Sequence, residues 1–188
     1  YEDYDDNLDS CEYVETMKSV LDNCFNTTNG FIFWNVNYNT NSRFEFIRQI
    51  YEKIESLDET ICWKKTGLPV PHGLTRTWEP IFVFNTKSKK DRLGIKNRTD
   101  FNFWEVNNSG ALSDNHRAAF PVELVIKGIE LCSPASMLDP FMGSGTSIIA
   151  SEVKGIKCFG MELSPLYCDV TIKRWEDFTG QTAELVDA

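Results

Sequence analysis

Met137-Leu138-Asp139-Pro140-Phe141-Met142-Gly143-Ser144-Gly145-Thr146 reads as a short buried strand that runs straight into a glycine turn and a helix. Met137 and Leu138 are apolar strand residues. Gly143 and Gly145 permit backbone geometry and close approach that a Cβ denies, and Thr146, Ile149, Ala150 and Val153 recur at helical spacing. Strand, glycine turn and helix in this order make a cradle for a nucleotide cofactor. A second strand is expected over Ile156 to Met161. Glu162 comes directly after it, at the separation of about 20 residues expected of a carboxylate that takes ribose hydroxyls in a βαβ unit. Each half of this signal has a plainer explanation, since a Gly-x-Gly turn is often only a tight turn and a carboxylate at a strand end is often only solvated. The two together point to a cofactor site.

Around this centre the pattern is α/β. Upstream, Leu124, Val125, Ile129 and Leu131 mark a helix from Pro121 to Leu131, which leads through Ser133-Pro134 into the opening strand. Downstream, helices are expected over Ser144 to Lys154 and from Pro165 to Phe178; Pro165 suits the first turn of the latter and Gly180 its end. Towards the start of the chain, Tyr13, Met17, Val20, Leu21 and Cys24 fall on one face of a helix from Glu12 to Phe25, and Phe31 to Tyr38 is an aromatic, β-branched strand. Phe44, Ile47, Ile50, Tyr51, Ile54 and Leu57 repeat at three and four, predicting an amphipathic packing helix from Ser42 to Leu57. Strands over Thr60 to Lys64 and Pro80 to Asn85 are joined by a loop, Lys65 to Gly73, whose glycines and prolines forbid regular structure.

At 188 residues, with 41% apolar and 13% aromatic content, one globular domain with a substantial core is expected. No apolar run approaches the ~18 residues of a membrane span and the start does not resemble a signal peptide, so a soluble, cytoplasmic protein is expected. The six cysteines include no CxxC pair and only His72 and His116 could join them, so no metal site or disulfide framework is expected. The net charge of −9 is unlike that of a typical nucleic-acid binder. Distribution matters more than the sum, however, because phosphate contacts need only one local basic face. Thr86 to Asp100 carries Lys87, Lys89, Lys90, Arg92, Lys96 and Arg98 against Asp91 and Asp100, a phosphate-contacting segment or, equally, a solvated loop. Phe101-Asn102-Phe103-Trp104 beside it offers aromatic surface for stacking on a base or for anchoring the loop.

The cofactor stretch, preceded by Asn115-His116-Arg117-Ala118-Ala119-Phe120-Pro121 and followed by Gly160-Met161-Glu162-Leu163-Ser164-Pro165-Leu166-Tyr167, resembles the S-adenosylmethionine region of amino-group DNA methyltransferases. With the cofactor half at the C-terminal end, the order is similar to the circularly permuted beta group of N6-adenine and N4-cytosine enzymes. The likeness is strongest to small orphan or phage-type adenine enzymes, through Arg174-Trp175-Glu176-Asp177-Phe178-Thr179-Gly180. It implies a single Rossmann-like methyltransferase domain with a target-base half over 1–85, a short recognition segment over 86–114 and a cofactor half over 115–188. It also implies S-adenosylmethionine as methyl donor, double-stranded DNA as partner, adenine N6 ahead of cytosine N4 as acceptor, and a place in restriction-modification chemistry in a bacterial or phage-infected cell.

By the same resemblance, Asp139, Pro140, Phe141, Gly143, Ser144, Gly145 and Thr146 line the cofactor, with Phe141 packed against it. Asn115, His116, Ala118, Phe120 and Pro121 hold its methionine end, Glu162 takes the ribose hydroxyls and Leu163 the adenine face. His116 serves equally well as a helix cap. Arg76 and Trp78 fall near the target base, with Lys87, Lys89, Lys90 and Arg92 on the phosphates; Arg76 and Glu79 could equally form a structural ion pair.

The family's catalytic tetrapeptide, a polar residue followed by Pro-Pro and an aromatic, is absent: the chain contains no Pro-Pro pair. In that family the tetrapeptide holds the exocyclic amine of a flipped base and stacks on it. The acidic start, Tyr1-Glu2-Asp3-Tyr4-Asp5-Asp6, resembles the segment just downstream of the tetrapeptide, so the expectation is a truncated or degenerate relative that lacks the central catalytic-motif strand. The resulting gap between the Asp139 strand and the Phe31 strand would be closed by direct pairing or by a second copy in a homodimer. Rival assignments are a catalytically dead cofactor or DNA binder acting as a partner subunit, and a methyltransferase for RNA or small molecules.

Overall fold

The computed structural model describes residues 10–36, 50–65, 77–87, 93, 101–106 and 120–186. The chain divides into two compact units, Tyr1–Asn107 and Asn108–Ala188. Among the described residues no helix is long and apolar enough to cross a membrane.

The first unit begins with helix α1 (Ser10–Thr27), followed by strand β1 (Phe31–Asn35), a 3-10 helix (Tyr51–Ser56), and strands β2 (Leu57–Lys64), β3 (Trp78–Asn85) and β4 (Phe103–Glu105). The strands form one sheet in the order β1-β3-β2-β4, antiparallel except for the parallel β2–β4 pair. Central β3 is buried at every position after Trp78, as a strand covered on both faces must be. Val14, Leu21 and Cys24 of α1 meet Ile32, Trp34, Phe82 and Phe84 in one apolar cluster. The Phe84 ring takes the edge of Phe25 at 5.5 Å.

The helix expected over Ser42 to Leu57 is observed only at its end, because residues 42–49 lie outside the described residues. That end is a 3-10 helix that stops at Ser56, one residue earlier than expected. Leu57 instead opens β2 by pairing with Phe84 across the sheet, so tertiary pairing overrides the helical periodicity. The strand expected from Thr60 therefore starts three residues sooner.

In the second unit, α2 (Val122–Cys132) leads to β5 (Ser136–Asp139), α3 (Thr146–Lys154), β6 (Lys157–Gly160) and α4 (Pro165–Thr179). β5 and β6 pair in parallel from Ser136↔Lys157 to Asp139↔Gly160, with α3 as the crossover. Left-handed residues close all three helices: Ser133 at φ 47° after α2, Gly155 after α3 and Gly180 after α4. Among the described residues β1 and β5 each have a hydrogen-bonded neighbour on one side only.

Because Phe84 is fully buried against Phe25 and the α1 face, Phe84→Ala is expected to cost about 3–5 kcal/mol of stability. Urea unfolding should show a lower midpoint with an unchanged slope.

Candidate functional site

The C-terminal end of β5 is built by one acidic residue that organises its own backbone. The Asp139 carboxylate accepts the Phe141 N–H at 2.9 Å through Oδ1 and the buried Ser147 hydroxyl through Oδ2. It thereby ties the strand end to the first turn of α3. The β5–β6 ladder is prolonged beyond both strands, with the Met161 N–H donating to the Asp139 carbonyl at 2.9 Å and the Met142 N–H to the Met161 carbonyl at 3.1 Å. Between these points the chain reverses in a tight turn, closed by the Gly145 N–H on the Met142 carbonyl at 3.0 Å.

The turn needs both glycines, which stand at φ 54° (Gly143) and φ 77° (Gly145). Gly145 has a second constraint, since a Cβ there would lie 2.6 Å from Cγ2 of Thr171. Helix α4 packs directly against the turn at this point.

Glu162, just beyond β6, closes the other side. Its Oε2 accepts the Gly143 N–H at 2.7 Å and its Oε1 the Ser164 N–H at 2.8 Å. One carboxylate thus joins the glycine turn to the start of α4, and each oxygen keeps a further lone pair for a ligand hydroxyl. From α4 the buried Thr171 hydroxyl donates to the Gly143 carbonyl at 2.9 Å. Arg174 Nη1 donates to the Ser144 carbonyl at 3.0 Å and to Thr146 Oγ1 at 3.2 Å. Burial pushes the Arg174 guanidinium below its ordinary pKa, though it stays charged in any protein environment. At the rim Phe141 is 52% exposed and Leu163 70% exposed, two apolar side chains open to a ligand.

The structure therefore brings together Asp139, Pro140, Phe141, Gly143, Ser144, Gly145, Thr146 and Glu162, with Leu163 adjacent to Glu162 in the chain. Phe120 leads to buried Pro121, which caps α2 and accepts the Leu124 N–H at 3.0 Å. Asn115, His116 and Ala118 lie outside the described residues, as do Arg76, Lys89, Lys90 and Arg92. In the first unit Trp78 is 44% exposed at the start of β3, and Lys87 is exposed just beyond its end. Buried Glu79 forms an ion pair with Lys65, a structural role for that carboxylate. The aromatic stretch after the basic segment splits by strand alternation, with Trp104 buried and Phe101 and Phe103 exposed.

Thr171, Arg174, Ser147 and Ser164 also belong to the site; Ser164 and Arg174 fall in stretches that carry the resemblance but have no role assigned by it, and Thr171 and Ser147 fall in none. Thr171 and Arg174 carry one usable signal, polar residues three apart and so on one face of the helix. Burial pushes the Cys158 thiol upward, with a Ser151 hydrogen bond opposing and Asp139 adding to the rise, so this half-buried cysteine is a poor nucleophile. Among the described residues no group of three or more His, Cys, Asp or Glu side chains converges on a metal-sized space.

A family model described as DNA methylase matches residues 1–173. The chain is 35% identical over 99 residues to the type II methyltransferase M.ScaI of Streptomyces caespitosus, a match covering 49% of this chain and 32% of that protein. It spans about a third to a half of the length of the curated relatives it matches. Among solved structures it is similar to PvuII DNA methyltransferase (cytosine-N4-specific), with TM-score 0.70 and 17% identity over 93% of this chain and 74% of that one. The M1.HpyAVI–SAM complex is similar too, with TM-score 0.63 and 17% identity over 89% and 96% of the two chains. At this identity the likeness is one of fold, a Rossmann-like α/β fold.

Gly145→Ala combines a left-handed backbone with a clash against Thr171, whereas Gly155→Ala meets nothing within 4 Å. Gly155→Ala is expected to cost about 1–3 kcal/mol for the backbone alone, and Gly145→Ala more than that. Thermal unfolding of the two variants side by side checks the order.

Proposed function

This chain belongs to the DNA methylase family, and on that footing we propose that it carries the S-adenosylmethionine cradle of an enzyme that methylates an exocyclic amine in double-stranded DNA. The observation that carries the proposal is the placement of Glu162, whose carboxylate closes onto the Gly143 N–H of the turn after β5. A glycine turn beside an acidic strand end is the arrangement that holds an adenosyl group. The donor set fits: Glu162 retains acceptor capacity for the ribose diol, Leu163 offers an apolar surface to the adenine, and Phe141 offers one to the remainder of the cofactor. Asn115, His116, Ala118, Phe120 and Pro121 would hold the methionine end. When bound, S-adenosylmethionine supplies an electrophilic methyl on a sulfonium; the protein's part is to orient it and to exclude water.

In this proposal residues 1–85 serve the target base through Arg76 and Trp78, residues 86–114 meet phosphates through Lys87, Lys89, Lys90 and Arg92, and residues 115–188 hold the cofactor. The sequence of α4 favours adenine N6 as acceptor; likeness to a cytosine-N4-specific enzyme makes cytosine N4 the second choice. The 188 residues contain no Pro-Pro holder for the amine, so the chain by itself is proposed to bind cofactor without transferring its methyl. Self-association through the open edges of β1 or β5 belongs to the same proposal, and a strictly monomeric species in light scattering would count against it.

Calorimetric titration with S-adenosylhomocysteine should show binding by the wild-type chain, weakened about tenfold in Glu162→Gln. The glutamine amide would set a donor against the Gly143 or Ser164 N–H, and a donor left unpaired costs about 1–3 kcal/mol. The same pure protein should incorporate no labelled methyl into unmethylated DNA. Failure of a folded wild-type chain to bind would sink the cofactor assignment, and methyl incorporation would sink the inactive one.

Simultaneous charge reversal at Lys87, Lys89, Lys90 and Arg92 should weaken association with duplex DNA. It should also flatten the dependence of affinity on salt by about 0.9 logarithmic units for each phosphate no longer neutralised. Unchanged binding and unchanged slope would return this segment to a solvated loop.

A further inference from the structure

The two peptide planes of the glycine turn are set from outside the turn, by residues of α4 with no assigned role in binding. The Gly143 carbonyl accepts the Thr171 hydroxyl at 2.9 Å, and the Ser144 carbonyl accepts Arg174 Nη1 at 3.0 Å. No described peptide bond is cis, and in a trans peptide the carbonyl and the following N–H point in opposite directions. With the Gly143 carbonyl drawn to α4, the Ser144 N–H is therefore turned away from α4. With the Ser144 carbonyl drawn to Arg174, the Gly145 N–H is turned to the Met142 carbonyl, which it reaches at 3.0 Å. Among the described residues no acceptor meets the Ser144 N–H. The neighbouring donors are taken: the Gly143 N–H by Glu162 and the Phe141 N–H by Asp139.

We propose that Thr171 and Arg174 are positioning residues for the cofactor, holding the glycine turn so that the Ser144 N–H is presented to the ligand as a hydrogen-bond donor. Thr171 is suited to the task because it is buried and its hydroxyl hydrogen is committed to the Gly143 carbonyl. Arg174 is suited because one guanidinium nitrogen spans the Ser144 carbonyl and Thr146 Oγ1, bracing the turn against the first residue of α3. Without these two contacts the Gly143–Ser144 peptide keeps no hydrogen bond among the described residues and the Ser144–Gly145 peptide keeps only that of its N–H to the Met142 carbonyl, and glycine on either side offers little steric resistance to rotation. This inference rests on the cofactor proposal and extends it to residues that would not touch the cofactor.

The test is titration of the 188-residue chain with S-adenosylhomocysteine, each variant being first shown to be folded by its thermal transition. Thr171→Val keeps the shape and loses the hydroxyl; Thr171→Ser keeps the hydroxyl. Arg174→Met keeps most of the aliphatic volume and loses the donors. Thr171→Val and Arg174→Met are each expected to weaken binding about tenfold, while Thr171→Ser stays within about twofold of wild type. A packing role alone would not separate valine from serine in this direction, since valine fills the site better. Where Thr171→Val or Arg174→Met melts below the titration temperature, Thr171→Ala and Arg174→Leu are titrated in its place. Wild-type binding that the folded variants leave within about twofold overturns the inference alone. Absence of binding by the wild-type chain overturns the cofactor proposal and the inference with it.

Discussion

Gly143 is gripped on both of its polar groups, its N–H by the Glu162 carboxylate and its carbonyl by the Thr171 hydroxyl. The features that make the second unit a candidate site depend on this grip. It joins the end of β5 to the loop after β6 and to the middle of α4, three points far apart in sequence. A backbone free at Gly143 and Gly145 would gain entropy in a loose turn and lose the site. Three side chains of different chemistry suppress that freedom: a carboxylate that accepts, a hydroxyl that donates, and a guanidinium that spans two acceptors. Asp139 does the same for the preceding residues, its two oxygens fixing Phe141 and Ser147. The result is a turn whose donors and acceptors are nearly all committed, with the Ser144 N–H left for a ligand.

The first unit is organised on different physics. Its sheet centres on β3, where Ile81, Phe82, Val83 and Phe84 are all buried: α1 packs on the face that carries Phe82 and Phe84, and Ile81 and Val83 share the other face with buried Ile61, Trp63 and Trp104 of the neighbouring strands. Polar residues enter this unit chiefly where a partner waits. Glu79 is buried against Lys65, and Trp63 Nε1 donates to the Val106 carbonyl at 3.2 Å. A buried carboxylate with an ammonium partner is a costly way to hold a strand end together.

An acidic chain is compatible with the nucleic-acid substrate proposed for it. The net charge of −9 is a sum over a sequence in which six of the fifteen residues from Thr86 to Asp100 are basic and two acidic. Phosphate contacts depend on the local potential within about 8–10 Å at physiological salt, so the distant carboxylates are largely screened. Acidity elsewhere is compatible with the proposed basic recognition segment, and would lower non-specific adhesion to DNA.

Much of this was legible in the sequence because it rests on local rules. The strand, turn and helix around Asp139 to Thr146 come from apolar spacing and from two glycines at positions that demand left-handed backbone. The end of α4 comes from Gly180, and the strand β1 from an aromatic and β-branched run. The separation of Glu162 from the turn was enough to pair them, since a βαβ unit brings the two strand ends side by side. Tertiary structure alone decided the rest, because it concerns contacts that no local pattern encodes. Leu57 left its helical series for β2 because Phe84 stood opposite it. Glu79 found Lys65, and Trp104 turned inward while Phe101 and Phe103 turned out. Thr171 and Arg174 became part of the site only because α4 packs on the turn closely enough to exclude a Cβ at Gly145. A hydrogen bond spanning 28 or 30 residues leaves no periodicity in the sequence. It exists because the fold brings the donor and the acceptor together.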